Sequence, residues 1–421
     1  MDSATSLGTL HVAEAFDPLS SEYLMDPYPI LARARAAGPV FYSPALDHWV
    51  VTRFHDIRTI FRTPALFSAT NANAPLLPPC PRAVDALAAA GFGAVPTLAN
   101  VDPPAHTRVR RMANSAFTPR RIAAMEPLVR EVVVRFCEER LDHGSADLVQ
   151  DFAWELPVLV LFSILGTPEE DVAAVKAGSW ARILFVYGHT GDDEQVAAAE
   201  GMGAFWRYAE RLIADRLQTD RGDFTSDLVR ACDEHGEGLS PQQAATIALN
   251  LLFAGHETTT GLLGNAFRRL LGHRQAWDAI CRDPSLIPGA IEEVLRFDSS
   301  VIAWRRQTTA AVDIGGVAVP AGAKLLLMIG SGNRDAAVFP DPDTFDIRRP
   351  NARDHLSFGN GPHFCLGAPL ARLQARVVLE EISARLPSLR LEGSDELRFA
   401  PNVSFRGPLA LRAVWDVTPG S

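Results

Sequence analysis

Cysteine is scarce in this chain: five among 421 residues, Cys80, Cys137, Cys232, Cys281 and Cys365, an odd number, far apart and without a C-x-x-C pair. Such spacing supplies neither a disulfide framework nor a structural zinc site, and it suits a reducing cytoplasm. Positive charge is also short. Forty Lys+Arg against 50 Asp+Glu leave a formal net charge of −10, which argues against a protein whose main task is to neutralise phosphates. Long apolar runs are missing too: residues 156–165 and 247–255 are the longest, well short of the roughly 20 that cross a bilayer. The N-terminal MDSATSLGTLHVAEAFDP has neither a basic nor an apolar signal region, so residues 1–15 are expected to be a disordered leader. With no repeat, low-complexity block or Gly/Ser linker, the expectation is a soluble, cytoplasmic protein with one large domain over 16–421 and no nucleic-acid or membrane partner.

What is present is an ordinary globular balance of 47% hydrophobic and 21% charged residues, and the chain is long enough for a thick core. Helical periodicity dominates from about 120 to 296. Short strand-like runs fall at 41–52, 312–319, 324–328 and 409–417, so the fold class is mainly α with smaller β-sheets, an α+β protein. Residues 67–100, rich in Ala, Pro and Gly, form a long connection that is either functional or merely variable surface.

The most informative helix starts at Ser240, an N-cap followed by Pro241 and a capping-box Gln243, and its apolar rhythm runs to about residue 271. Roughly thirty residues at 1.5 Å each span about 45 Å, so this helix must cross the core. Its centre, however, is Gly255-His256-Glu257-Thr258-Thr259-Thr260, poor material for a buried helix. Ala254 and Thr258 share one face, and the small Ala254 and Gly255 would admit a large flat body. Alternatively, the hydroxyls simply bond back to carbonyls one turn earlier.

Two further patterns follow. Glu293 and Arg296 form E-x-x-R on a helix, a weak signal by itself. Residues 358–372, FGNGPHFCLGAPLAR, surround one cysteine with three glycines and open a helix just after it. A thiolate there would be favoured by the helix dipole and by N–H groups aimed at it. An inert buried cysteine is the commoner fate, and a nucleophile lacks a visible third residue to orient a Cys–His pair.

The pattern F-G-x-G-x-H-x-C-x-G-x-x-L-A-R resembles the cytochrome P450 signature at nine positions, each a roughly one-in-twenty event. A-G-x-E-T-T at 254–259, E-x-x-R at 293–296 and D-P-P-x-H-T-x-x-R-R at 102–111 accompany it in family order, and the resemblance covers about 16–417. VIAWRR at 301–306, RRPNARDHLSFG at 348–359 and NVSFRGP at 402–408 look most like the bacterial subgroup of thiocarbamate oxidisers and haem domains of self-sufficient reductase fusions.

The resemblance implies a P450 fold with haem between the long central helix and the Cys-ligand loop. It implies Cys365 as the thiolate ligand of iron in haem b (iron protoporphyrin IX), held without a covalent link since no C-x-x-C-H occurs. Phe358 would pack by the thiolate, with Gly367 and Ala254 close to the macrocycle, while His106, Arg110, Arg306 and His363 would bind the propionates. Glu293, Arg296 and Arg349 would form a structural ion triad, and Glu257 with Thr258 the acid–alcohol pair that handles protons during O2 activation. His256 would be part of a polar network. Phe185, Val301, Ile302 and Val403, together with Ala254 and the loop before Asn100, would line a pocket for a small or medium hydrophobic substrate.

The implied activity is a monooxygenase reaction, using O2 as co-substrate and NAD(P)H electrons delivered by ferredoxin and ferredoxin reductase or by an iron–sulfur flavin reductase. Arg108, Arg111, Arg120, Arg121, Arg372 and Arg376 would give such a donor a basic docking face. The alternatives are a haem-containing binding or recruitment module without turnover, and a phenol-coupling oxidase.

Overall fold

The structure, a computed structural model, describes residues 14–232, 238–393 and 397–417. The expected disordered leader over 1–15 falls almost wholly outside the described residues; Glu14 and Ala15 lie in a helical turn. The strand-forming runs resolve into β1 (Val40–Ser43), β2 (His48–Val51), β3 (Phe67–Ser68), β4 (Ser145–Asp147), β5 (Trp304–Thr308), β6 (Val312–Ile314), β7 (Val317–Val319), β8 (Lys324–Leu327), β9 (Arg390–Leu391) and β10 (Arg412–Val414). Residues 41–52 are therefore a hairpin, with Asp47 at φ 52° in its turn. The main sheet runs β1-β2-β8-β5-β3. Its β2–β8 pair is parallel and the others antiparallel. Smaller sheets are β4-β10-β9 and the β6-β7 hairpin.

Helices make up most of the rest. Leu156–Leu165 is buried at nearly every position, as befits a helix that is apolar all round and runs inside the core. The 27-residue helix Asp192–Gln218, the helix Ile287–Phe297 and the C-terminal helix Ala368–Arg385 complete the main helical layers. No helix among the described residues is long and apolar enough to cross a membrane.

Ser240 and Gln243 close the expected capping box, but the expected single helix of about thirty residues is interrupted. Pro241–Ala254 ends at Gly255, and Glu257–Gly272 begins after His256. The cause is local: His256 Nδ1 donates to Leu252 O at 2.7 Å and Thr258 Oγ1 to Ala254 O at 3.0 Å, so two side chains compete for carbonyls of one turn. A Cβ at Gly255 would stand 2.8 Å from Leu161 Cδ1, which shows how closely Leu156–Leu165 packs on the interruption. The segment 67–100 is likewise not structureless. It carries β3 and the helix Pro81–Ala89, and it delivers Asn73, Leu98 and Ala99 to the cavity wall.

Candidate active site

Between the interrupted central helix and the glycine-rich turn lies a cavity lined by Ala254, Gly255 and Thr258 on one side and by Phe358, Cys365 and Gly367 on the other. Ala254 is exposed although its helix crosses the core; the exposure is to this cavity. The opposite wall is built by a tight turn. Cys365 N donates to Phe358 O at 2.8 Å and Phe364 N to Gly361 O at 3.0 Å, and Gly359 and Gly361 both take φ of 70°, where a side chain would be strained.

Cys365 is the exposed cysteine; Cys137 is buried and the other three are half-buried. Cys365 lines the cavity beside Phe358, Leu366 and Gly367. Burial pushes the thiol up, while the N–H groups of Gly367 and Ala368 and the charges of Arg110 and Arg372 favour the thiolate. Arg372 lies over the Phe358 ring at 4.6 Å and grips Glu292 with bonds of 2.7 and 3.0 Å.

One flank of the cavity is cationic. Arg110, Arg306 and His363 line it, and His106 sits behind with its ring 4.0 Å from that of His363. Among the described residues His106 Nε2 and His363 Nε2, both buried, find no hydrogen-bond partner. Burial, with the nearby cations, pushes His363 down to about 3 and lowers His106. Arg306 is 2% exposed and held by burial at about 10. Among the described residues neither Arg110 nor Arg306 has a carboxylate within ion-pair distance. Buried donors and cations left unpaired are costly, so this flank is built for an anionic group from outside the chain. A flat macrocycle with two propionates and an iron opposite Cys365 fits that donor set.

Glu293 receives Arg296 at 2.7 Å through both carboxylate oxygens, and Arg349 Nε at 3.2 Å. The three residues expected to form an ion triad are thus joined, and Arg296 also donates to Asn333 O and Pro342 O.

Other expected site residues stand elsewhere. Glu257 does not line the cavity; its Oε1 lies 3.1 Å from His256 Nε2. Because His256 Nδ1 donates to a carbonyl, that contact requires one proton on either the imidazole or the carboxyl. Val301 lines the cavity, but Phe185, Ile302 and Val403 are buried in the core. Ile302 follows Val301 in extended chain, so it faces the other way, against Gly330. Phe405, two residues after Val403, lines the wall in its place. Around Phe185 it is Arg182 and Tyr187 that reach the cavity. The basic face is partly neutralised: Arg121 pairs with Asp227, Arg372 with Glu292, and Arg376 with Glu126 and Glu380. Arg182, Asn250 and Tyr187 were missed. The available signal was Asn250, a lone amide in the apolar run ALNLLFA, one turn before Ala254.

Comparison with known proteins agrees with the geometry. The family model described as Cytochrome P450 matches residues 285–387. The chain is 38% identical over 406 residues to cytochrome P450 monooxygenase PikC of Streptomyces venezuelae, covering 94% of this chain and 93% of that protein. It superposes on cytochrome P450 CREJ in complex with (4-ethylphenyl) dihydrogen phosphate at a TM-score of 0.92 and 39% identity, over 96% of this chain and 100% of the other. An intact type IV self-sufficient cytochrome P450 monooxygenase gives a TM-score of 0.91 at 40% identity, over 97% of this chain and 54% of that longer one. The chain belongs to the cytochrome P450 family, enzymes that imply haem iron and O2.

Proposed function

We propose that the chain, as one haem domain over 16–421, inserts one oxygen atom of O2 into a small or medium hydrophobic substrate, aromatic compounds included, by hydroxylation or by O-, N- or S-dealkylation. The observation that carries this reading is one thiol, Cys365, facing Ala254 and Thr258 across a cavity whose flank is lined by unpaired cations. When bound, haem iron supplies O2 activation and C–H oxidation, with two electrons and two protons reducing the second oxygen atom to water.

The residues then divide the work. Cys365 would ligate the iron, with the Gly367 and Ala368 N–H groups limiting charge on its sulfur. Arg110, Arg306, His106 and His363 would hold the propionates. Thr258 Oγ1 carries a proton at the cavity wall, and Glu257, 3.1 Å from His256 Nε2, stands one residue away and would resupply it. Leu251, Phe253 and Val301 line the cavity with apolar surface and would exclude water from the bound substrate.

Electrons from NAD(P)H would arrive through ferredoxin and its reductase or through an iron–sulfur flavin reductase; likeness to a self-sufficient monooxygenase supports the second route. Arg111 and Arg120 are exposed on helices Ala105–Ala113 and Pro119–Ala123, beside the segment whose Phe117 lies 4.0 Å from a Cβ built at Gly367. They suit an acidic donor.

The haem-loaded protein, reduced under carbon monoxide, should give the red-shifted thiolate–carbonyl band; its absence would sink the assignment. With NADPH and a ferredoxin system, Thr258→Ala should divert electrons to peroxide, and unchanged coupling would remove Thr258 from proton delivery. A reduction rate indifferent to salt would remove the docking face.

A further inference from the structure

A second group of buried cations lies apart from the propionate flank. Arg182 is 6% exposed and Arg305 2%, and the Arg305 guanidinium lies 5.0 Å from the centre of the Tyr187 ring. Arg305 is anchored by the carbonyls of Ala72 and Ala74. Arg182 is not so anchored: its Nη1 donates to Asn250 Oδ1 at 2.8 Å, its guanidinium lies 4.6 Å from the centre of the Phe253 ring, and it lines the cavity.

Among the described residues no carboxylate pairs with Arg182 or Arg305. Arg306, His106 and Arg110 all bear on His363, whereas Arg182 is in contact with Asn250 and the Phe253 ring. The macrocycle's carboxylates therefore have their own partners, and Arg182 is left over. An arginine stays charged even when burial lowers its pKa, as it does here. Buried charge without a counter-ion is costly unless one arrives.

We propose that Arg182, with Asn250 beside it, binds the anionic end of the substrate, so that the pocket takes an amphiphile with a carboxylate or phosphate monoester at one end and an aryl or alkyl body at the other. Asn250 precedes Ala254 by one turn and Thr258 by two, about 6 and 12 Å along the helix before its interruption is considered. An anion at Arg182 thus leaves room for one aromatic ring or a short chain to reach the wall at Ala254. This deepens the monooxygenase reading and rests on it.

The test uses haem-loaded protein whose reduced carbon monoxide band has first been verified, so failure of the underlying reading shows separately. Calorimetric and Soret titrations would compare 4-propylbenzoate and 4-ethylphenyl phosphate with the neutral 4-propylanisole. The anions should bind at least about tenfold tighter, and the stronger of the two identifies the head group. In Arg182→Gln the ratio of anion to neutral affinity should fall to about one, while Arg182→Lys keeps part of it. Equal binding of neutral and anionic ligands by the wild type, or an undiminished ratio in Arg182→Gln, overturns the proposal. Should Arg182→Gln lose its haem, the wild-type ratio and Arg182→Lys still decide.

Discussion

Lys176 shows how much one side chain can cost this fold. It is 4% exposed, its ammonium lies 3.8 Å from the centre of the Trp154 ring, and among the described residues it has no hydrogen-bond partner. Burial pushes its pKa from 10.5 down to about 7, against the attraction of Glu257 and Glu155. Above pH 10.5 the amine is neutral in both states and contributes no proton linkage. As pH falls from 10.5 to about 7, the unfolded chain takes up a proton that the folded chain refuses, and stability drops by about 1.4 kcal/mol per unit. The cost is fully present below pH 7. Lys176→Met removes it and keeps the volume, so at pH 7 the variant should gain about 1–4 kcal/mol, and the gain should shrink toward pH 10. Thermal unfolding at both pH values checks this; a lower Tm at pH 7 refutes it.

At the scale of elements, the turn before Cys365 is held by contacts that admit no side chain. At Gly361, φ is 70° and a Cβ would stand 2.6 Å from Phe61 O and 3.0 Å from Arg62 Cα, both backbone atoms of helix Phe54–Arg62. At Gly359, φ is the same, but nothing lies nearer than 3.8 Å. Gly359→Ala should therefore lose only the left-handed penalty, about 1–2 kcal/mol, whereas Gly361→Ala adds a backbone clash and should lose more, with a lower Soret-to-280 nm ratio as haem escapes. Equal Tm values for the two variants would refute the packing account. These glycines, Cys365 and the Glu293–Arg296 pair were legible because each meets a demand that few residue types satisfy. The pocket wall was not. Val301 and Ile302 are equally apolar, as are Val403 and Phe405, so residue type cannot say which faces the cavity; the twist of a few extended residues decides it. The central helix was legible in its cap and rhythm, and hydroxyls bonding back one turn were one of two readings open for its centre, but that this breaks the helix depends also on His256 and on packing against Leu161.

Across the whole molecule, one carboxylate ties together segments that the chain order keeps apart. Asp298 ends the helix Ile287–Phe297 fully buried and accepts from Arg268 at 2.8 Å, Arg269 at 2.7 Å, Arg406 at 3.1 Å and the Tyr28 hydroxyl at 2.9 Å. Arg334 adds charge while its guanidinium stacks 3.6 Å from the ring centres of both Tyr28 and Phe297. The first helices, the central helix, the turn at Arg334 and the C-terminal segment thus meet at one anion. Burial alone would raise the pKa of Asp298, but the arginines outweigh it and hold the carboxyl far below its usual 3.8. A depressed carboxylate stabilises fully above its unfolded pKa and ceases to do so as pH falls through the folded one. Glu292, held down to about 2 by His355 and Arg372 despite burial, acts in the same direction. Stability should therefore be flat near neutrality with respect to these two groups and fall steadily below about pH 4. Asp298→Asn preserves the shape but leaves Arg268, Arg269 and Arg406 around a neutral amide, so at pH 7 it should cost about 3–5 kcal/mol. The difference should narrow as pH drops below 3.8, because the unfolded wild type then takes up a proton that the folded carboxylate refuses, a linkage the variant lacks. Urea unfolding of both proteins between pH 7 and 3 measures this, and a gap that stays constant or widens toward acid would mean that the Asp298 charge does not hold these segments together.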